Sequence, residues 1–222
     1  MSVVRRIGDG DDAVIVHAVA PYAGRARDLI KALKYDGRLE HARDLGHLLF
    51  KHLDRRWERH ELDRVVANPT YQHRGVRHTE WLLAAMAAAD TERRWVFDDP
   101  TDPCLSKARP TVAAYGRDAR GHWTAAAAME RALVVRHPEL VEGRQVLVID
   151  DVVTTGAQLQ AVARVLRGHG ATDVHGLVVA TVDSPVVDLT STVDDVDHST
   201  ERAAERLERL GRRPTDLGGL SL

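Results

Sequence analysis

Two adjacent acids and a short hydroxyl-rich turn form the stretch of this sequence best suited to chemistry. Asp150 and Asp151 follow four apolar residues directly and precede Thr154, Thr155 and Gly156. Carboxylates accept hydrogen bonds from vicinal sugar hydroxyls or, through water, hold a hard cation such as Mg²⁺. Backbone N–H groups at a turn that opens a helix bind an anion, and threonine hydroxyls add neutral donors. The spacing therefore predicts a site that takes a sugar at one end and a phosphate at the other.

A buried strand and a helix must hold this site in place. Residues 146–149 are four apolar residues without polar alternation, which is typical of a strand in the middle of a parallel sheet. The carboxyl end of such a strand is where ligands bind in open α/β sheets. Apolar residues at helical spacing then predict a helix after the turn, namely Leu159, Val162, Ala163 and Leu166. The alternative is a buried strand with a solvated acidic turn, as in other Mg²⁺ sites, and Thr154-Thr155-Gly156 argues against it.

Residues 146–158 resemble the 5-phosphoribosyl-1-pyrophosphate (PRPP) signature of type I phosphoribosyltransferases. That signature has four apolar residues, an acidic pair, two apolar residues, Thr-Thr-Gly and a small residue, and only Gln158 departs from it. The resemblance implies Mg²⁺ as cofactor and Asp150 and Asp151 as the catalytic acids, with Mg²⁺ held through PRPP and water or by these acids. It implies that PRPP is bound by Asp150, Asp151, Val152, Val153, Thr154, Thr155, Gly156 and Ala157.

Composition limits the class of protein. The 222 residues carry a net charge of −2, which gives no overall attraction to nucleic acid or to a membrane surface. Cys104 is the single cysteine, so an internal disulfide and a multi-cysteine zinc site are both excluded. The apolar run at residues 13–19 is too short to span a bilayer, and acids precede it. We expect a cytoplasmic protein without membrane contact.

The remaining periodicity predicts an α/β fold, a parallel Rossmann-like sheet flanked by helices. Strands are predicted at residues 13–19, 62–67, 95–97, 132–135 and 174–182, and helices at residues 25–35 and 39–53. Residues 184–222 are acidic and then weakly amphipathic, which indicates a polar tail that is partly helical or disordered. We predict one domain over residues 1–183, in which residues 1–60 form an N-terminal strand, helices and a small hood.

An N-terminal pattern is similar to that of the ComF family of phosphoribosyltransferase-like proteins. It comprises Tyr22-x-Gly24, Leu29-Ile30 and Leu33-Lys34-Tyr35, and the resemblance extends over residues 22–182. It implies a type I phosphoribosyltransferase fold, a homodimer and a link to DNA uptake. Members often carry a four-cysteine zinc ribbon, so this chain would be a short form. Lys34 is either a cation that complements the helix end or a phosphate ligand.

The same resemblance suggests where the pyrophosphate of PRPP would lie. The turn Asn68-Pro69-Thr70 follows the strand predicted at residues 62–67, beside the pyrophosphate position of the family. Arg74-Gly75 matches the start of the family's Arg-Gly-Phe-Asn-Gln pattern, although surface charge is an equal alternative for Arg74. Residues 98–123 lack periodicity and are predicted to be a flexible basic loop that closes over the substrate. The candidate contacts are Pro69, Thr70, Arg74, Lys107 and Arg109.

Two functions fit these observations. The first is transfer of the 5-phosphoribosyl group from PRPP to a nucleobase-like acceptor, with Mg²⁺ and release of pyrophosphate. The second is a non-catalytic protein that senses a nucleotide metabolite or serves DNA uptake with the same fold. A DNA-binding role would require basic residues gathered on one face, for instance Arg74, Arg77, Lys107, Arg109 and Arg120.

Overall fold

The computed structural model describes residues 3–71, 75–111 and 119–182, without the side chains of residues 119–123. Its strands are β1 (Val3–Ile7), β2 (Val14–Pro21), β3 (Arg64–Ala67), β4 (Leu105–Lys107), β5 (Leu133–Val135), β6 (Gln145–Val153) and β7 (Asp173–Thr181). Five of them form the main sheet in the order β1-β2-β7-β6-β3, and β4 pairs with β5 in a separate two-stranded sheet. Strand β6, which carries the acidic pair, therefore lies between β7 and β3 inside the main sheet.

The main sheet is parallel except at one edge. Strands β2 and β7, β7 and β6, and β6 and β3 pair in parallel, whereas β1 runs antiparallel to β2. The sequence gives little sign of β1, because Arg5 and Arg6 interrupt its apolar residues. Because the other four strands are parallel, their carboxyl ends meet at one edge of the sheet, where the turns after β3 and β6 come together.

Helices cover both faces of the main sheet. They are α1 (Gly24–Asp36), α2 (Leu39–Arg56), α3 (His78–Ala89), α4 (Ala119–Ala132) and α5 (Ala157–Gly168). Apolar residues of α1, α2 and α3 form one core with Leu147 and Ile149 of β6. Residues of α4 and α5 form the other core with Val146 and Val148. This two-sided burial is the reason that β6 lacks polar alternation.

Most of the predicted elements are present, but two expectations for the middle of the chain are wrong. Residues 95–97 form no strand, since Phe97 makes only an isolated bridge to Val65. Residues 98–123 are not one long loop. The Asp98 carboxylate accepts hydrogen bonds from Arg64 and from the backbone N–H of Cys104, β4 follows at once, and α4 begins at Ala119. Buried Cys104 thus fixes the first part of the segment against the core.

Three other expectations fall wholly or partly outside the described residues. They concern the polar tail at 184–222, Arg74, and residues 112–118 of the expected loop. Within the described part of the chain, no helix combines the length and the apolar character needed to cross a membrane.

Candidate functional site

The acidic pair lies inside strand β6, not after it as the sequence suggested. The pairing of β3 with β6 ends at Ala67 and Ile149, whereas the pairing of β7 with β6 continues to Val153. Beyond Ile149, β6 therefore has no strand on its β3 side, and the turn that follows β3 takes that place. Asp150 and Asp151 are both buried there, with 7% and 3% of their surface exposed.

Asp151 is held by two helices on the same face of the sheet. Its Oδ2 accepts a hydrogen bond from Lys34 Nζ of α1 at 2.8 Å and lies 3.3 Å from His78 Nε2 of α3. Its Oδ1 accepts from the backbone N–H of Val152 at 2.7 Å. Burial alone would raise the pKa of Asp151, but the charges of Lys34 and then His78 outweigh burial, so the pKa is lowered. Asp151 is therefore the ionised member of the pair.

Asp150 has a different environment, although it is the next residue. Its Oδ2 accepts from Asn68 Nδ2 at 2.6 Å, and its Oδ1 accepts from the backbone N–H of Asp151 at 2.8 Å. Burial and then the neighbouring charge of Asp151 raise the pKa of Asp150 to about 7. Near neutral pH the pair thus carries one firm negative charge on Asp151 and a proton that Asp150 gives up readily.

The turn after β6 is open and its donors are free. Thr154 and Thr155 are exposed, and Gly156 adopts φ 79° as the residue that caps α5. Among the described residues, the backbone N–H groups of Thr154, Thr155 and Gly156 have no hydrogen-bond acceptor. The first turn of α5 contains no acidic residue. Free amides at the positive end of a helix dipole, without a competing carboxylate, form an anion-binding site.

Two residues of strand β1 contact this turn. Arg5 Nη1 donates to the main-chain oxygen of Thr154 at 2.7 Å and to Thr181 Oγ1 at 2.9 Å. The side chain of Ile7 fills the space beside Gly156, where a Cβ atom would lie 2.7 Å from Ile7 Cγ2. Glycine is therefore required at position 156 by both its φ angle and its packing. Sequence reasoning identified neither Arg5 nor Ile7, because no local pattern links them to a turn about 150 residues later.

Helix α3 holds the turn that follows β3. Thr79 Oγ1 donates to the main-chain oxygen of Asn68 at 2.7 Å, and the backbone N–H of Thr70 donates to the carboxylate of Glu80 at 3.0 Å. Glu80 is buried and also accepts from the Thr70 hydroxyl. These contacts fix Asn68 where its amide reaches Asp150.

A cavity of about 90 Å³ opens on the far side of this turn. Among its lining residues are Pro69, Thr70, Arg77, Lys107 and Arg136. The cavity does not reach the acidic pair or the turn at residues 154–156. We place the site at the acids and the turn nevertheless, because a phosphate held on free backbone amides needs an open turn and not an enclosed cavity.

The five pyrophosphate candidates are thus only partly brought together. Pro69, Thr70 and Lys107 line the cavity, with Lys107 in β4, where it also bridges Tyr71. Arg109 is exposed beyond β4, and Arg74 is outside the described residues. Asn68 and His78, which complete the surroundings of the acids, were not among the predicted site residues. The available signal was their position at the carboxyl end of β3 and the start of α3.

Three of these side chains have the donor atoms of a metal site. One ligand atom each from His78, Asp150 and Asp151 lies within 4.8 Å of the other two. Carboxylate oxygens suit Mg²⁺ directly or through water, so the residues present fit the cation that the PRPP signature implies. The imidazole nitrogen adds a donor that Mg²⁺ does not require.

The parallel order β2-β7-β6-β3, the acids in the carboxyl-terminal half of β6 and the open turn before α5 give this chain the type I phosphoribosyltransferase fold. A comparison with protein families agrees with this fold. The model of the phosphoribosyl transferase domain matches residues 111–207.

Relatives of this chain include proteins called "DNA utilization protein YhgH". The protein of Escherichia coli K12 is 30% identical over 162 residues, which are 69% of this chain and 66% of the relative. The protein of Shigella flexneri is 29% identical over 165 residues, which are 70% and 67% of the two chains. This chain therefore spans about two thirds of the length of these relatives.

Two solved structures show a weaker likeness. One is titled as the allosteric regulatory enzyme of purine biosynthesis, with 20% identity and a TM-score of 0.38. The other is glutamine PRPP amidotransferase from B. subtilis with ADP and GMP, with 20% identity and a TM-score of 0.39. Each likeness covers 62% of this chain and 25% of the other.

Proposed function

We propose that this protein binds PRPP with Mg²⁺ and transfers the 5-phosphoribosyl group to a nucleobase-like acceptor, releasing pyrophosphate. One observation carries the proposal. The backbone amides at residues 154–156, which have no acceptor among the described residues, lie just before α5 and directly after the strand that carries the buried acidic pair. Hydrogen-bond donors for a phosphate at one end of the site, and acceptors for sugar hydroxyls at the other, match the two ends of a ribose 5-phosphate.

The 5-phosphate would lie on the turn at residues 154–156. Its oxygens would accept from the backbone N–H groups of Thr154, Thr155 and Gly156, and the two exposed threonine hydroxyls would add donors. Arg5 donates a hydrogen bond to the Thr154 carbonyl, so that this acceptor is already engaged. The partly buried Arg5 also places a positive charge under the turn.

The ribose hydroxyls would meet Asp150 and Asp151. Asp151 is an acceptor throughout the neutral range, because Lys34 and His78 keep it ionised. Asp150 can accept once it loses its proton, and loss of that proton near pH 7 would accompany binding of a hydroxyl or a hydrated cation. Val152 and Val153 would contribute backbone to this segment, as would Ala157 at the start of α5.

Pyrophosphate is the leaving group in this proposal. A nitrogen lone pair of the acceptor forms a bond to C1′ while the C1′–O electrons depart with pyrophosphate, and the nitrogen proton passes to solvent. Bound Mg²⁺ would neutralise charge on the departing oxygens, held with PRPP by Asp150 and Asp151 directly or through water. Positioning and charge stabilisation suffice, and no protein nucleophile is needed. Pro69, Thr70, Lys107 and Arg109 are the candidate contacts on the pyrophosphate side, together with Arg74.

Calorimetric titration with PRPP and Mg²⁺ tests the binding step. The wild type should bind one PRPP per chain, and the double variant Asp150→Asn/Asp151→Asn should bind at least tenfold more weakly. Asp173→Asn is the matched control, because Asp173 is the first residue of β7 and pairs with Gln145, at the end of β6 away from the acids. Equal PRPP binding by the double variant and the wild type would remove the acids from the site.

The second candidate is a protein that binds PRPP or a nucleotide without transferring it. The curated relatives are named for DNA utilization, which suggests a role in DNA uptake or handling. Pyrophosphate release, measured with a panel of purine and pyrimidine bases, separates an enzyme from a binder. Fluorescence anisotropy with labelled single- and double-stranded DNA tests the DNA role directly.

The basic side chains give only partial support to a DNA-binding face. Of the cations named above, Arg77 and Lys107 line the same cavity. Arg77 is engaged by the main-chain oxygen of Pro100 and by Glu80. The side chains of Arg74 and Arg120 are outside the described part of the structure. A homodimer, as the ComF resemblance implies, would be tested by sedimentation velocity.

A further inference from the structure

We propose that His78, Asp150 and Asp151 bind a divalent transition-metal ion, of which Mn²⁺ is the model, through direct bonds from the imidazole and both carboxylates. This goes beyond the function proposed above, in which Mg²⁺ enters with PRPP and needs no protein nitrogen. The inference concerns binding of the metal alone and does not require PRPP.

The first argument is geometric. The three ligand atoms lie within 4.8 Å of one another, and His78 Nε2 is 3.3 Å from Asp151 Oδ2. With metal–ligand bonds of about 2.1 Å, ligand atoms on one ion lie roughly 3 to 4.2 Å apart. Small side-chain rotations therefore suffice to bring the three atoms onto a common ion.

The second argument is the support that these side chains already have. His78 is the first residue of α3, Asp150 and Asp151 lie in β6, and all three are more than nine-tenths buried. Ligands on a helix and a central strand are held by packing before the ion arrives. A preorganised site loses less conformational entropy on binding than one built on loops.

The third argument is an unsatisfied acceptor beside the acids. The side-chain amide of Asn68 points at Asp150, to which its Nδ2 donates at 2.6 Å. Asn68 is 94% buried, and its Oδ1 has no hydrogen-bond donor within the described ranges of the chain. A buried acceptor without a donor is costly. A metal ion or a water on that ion would satisfy it.

The donor set determines which ion is preferred. Mg²⁺ favours oxygen ligands and keeps much of its hydration, whereas an imidazole nitrogen suits first-row transition metals. The His78 imidazole adds one nitrogen ligand to the oxygen ligands of the two carboxylates. A mixed nitrogen and oxygen donor set of this kind favours Mn²⁺ over Mg²⁺.

Lys34 acts as a competitor for the ion. Its ammonium group contacts the same Asp151 oxygen, at 2.8 Å, that faces His78. Because 27% of the Lys34 side chain is exposed, its stem can swing to solvent when a divalent ion arrives. The lysine then serves as an internal cation in the metal-free protein. Its removal should tighten metal binding.

Titration with Mn²⁺ alone, followed by electron paramagnetic resonance, tests the site. We expect one Mn²⁺ per chain, bound at least tenfold more tightly than Mg²⁺ in competition. Electron spin-echo envelope modulation should show a directly bound ¹⁴N nucleus. His78→Gln should abolish the ¹⁴N signal and remove the preference over Mg²⁺, while Lys34→Met should strengthen Mn²⁺ binding. His60→Gln is the matched control, because His60 is exposed and lies outside the site.

Two results would overturn the inference. One is the absence of a tight Mn²⁺ site in the wild type. The other is a ¹⁴N modulation that survives in His78→Gln. Circular dichroism and urea unfolding of each variant establish that it is folded. Failure here leaves the PRPP proposal intact, because PRPP binding is titrated separately, whereas tight Mn²⁺ binding without PRPP binding would refute only the proposed function.

Discussion

The guanidinium group of Arg5 donates a hydrogen bond to the main-chain oxygen of Thr154 at 2.7 Å. This contact joins the edge strand β1 to the turn proposed to hold phosphate. It engages the Thr154 carbonyl and so helps to fix the orientation of that peptide in the turn.

Arg5→Met should weaken PRPP binding by roughly 5- to 30-fold, since a hydrogen bond from a charged group contributes about 1–2 kcal/mol when partly exposed. The change leaves the apolar stem of the side chain in place, so packing of β1 is largely kept. Calorimetry with PRPP and Mg²⁺ measures the effect. Arg6→Met is the control on the same strand, because the exposed Arg6 side chain donates to the main-chain oxygen of Gly10 and not to the turn. Similar losses in both variants would show that Arg5 has no special role.

Gly156→Ala should reduce the free energy of unfolding by about 2–4 kcal/mol, through both its positive φ angle and the overlap with Ile7. Gly143→Ala is the matched control: Gly143 has φ 69° but no atom within 4 Å of the added Cβ. The control should cost about 1–2 kcal/mol, from backbone strain alone. Urea unfolding measures both. If the two variants lose the same stability, packing against Ile7 does not constrain the turn.

Asp151→Asn should destabilise the protein by about 1.5–3 kcal/mol, because the partly exposed Lys34 ammonium loses the charged hydrogen bond that it donates to Asp151. Asp150→Asn should cost less than about 1 kcal/mol, because Asn68 can still donate to the new amide oxygen. Thermal and urea unfolding of both variants check the asymmetry. Adding Lys34→Met to Asp151→Asn should recover part of the lost stability. Equal losses in the two single variants would contradict the unequal environments described above.

Low pH should destabilise the protein through His17 and His52, which lie where β2 packs against α2. His17 of β2 and His52 of α2 surround the Trp57 ring, with ring centroids 4.7 and 6.3 Å from it. Burial and then nearby Arg56 lower the pKa of His17 to about 3, with smaller contributions from His52 and His175. Burial, then Arg55 and Arg56, lower the pKa of His52 to about 4.

Because the unfolded chain takes up protons on these histidines below pH 6.5, stability is complete above that pH and falls towards pH 4. The loss between pH 7.5 and 5.5 should be roughly 2–3 kcal/mol for the two groups together. Asp150 has the opposite sign, since a raised folded pKa gives stability that is lost as pH rises through 7. Urea unfolding across this range in the Asp150→Asn background isolates the histidines. His52→Phe should halve the slope, His60→Gln should leave it unchanged, and a flat profile would contradict the assignment.

The local patterns of the sequence were sufficient for the elements that surround the site. Strand β6 could be predicted because both of its faces are buried and its sequence contains a continuous apolar run. Helix α1 could be predicted because Leu29, Ile30 and Leu33 form one buried stripe. Strand β1 could not be predicted, because Arg5 and Arg6 interrupt its apolar residues. The segment that begins at Asp98 looked like a loop because its order comes from Arg64 and Cys104, which a reading of that segment alone does not connect.

The candidate site could be proposed from the sequence only where its residues are contiguous. The acids and the turn at residues 154–156 stand together in the sequence, so their chemistry could be inferred from types and spacing. Lys34, Asn68 and His78 come from three other elements and converge on the acids only through the order of strands in the sheet. Because side-chain distances between elements depend on tertiary packing, the ion pair with Lys34 and the nitrogen donor of His78 had to come from the structure.

The contacts of Arg5 with Thr154 and Thr181 cross 149 and 176 positions of the chain. During synthesis the edge strand emerges first, and its partners at the turn follow only after nearly all of the described chain has been made. A nascent chain that stops before β7 therefore lacks Thr181, which is one of the two acceptors of Arg5, even if its earlier helices have folded. The proposed phosphate site can therefore form only after β7 has been synthesised and has paired with β2 and β6.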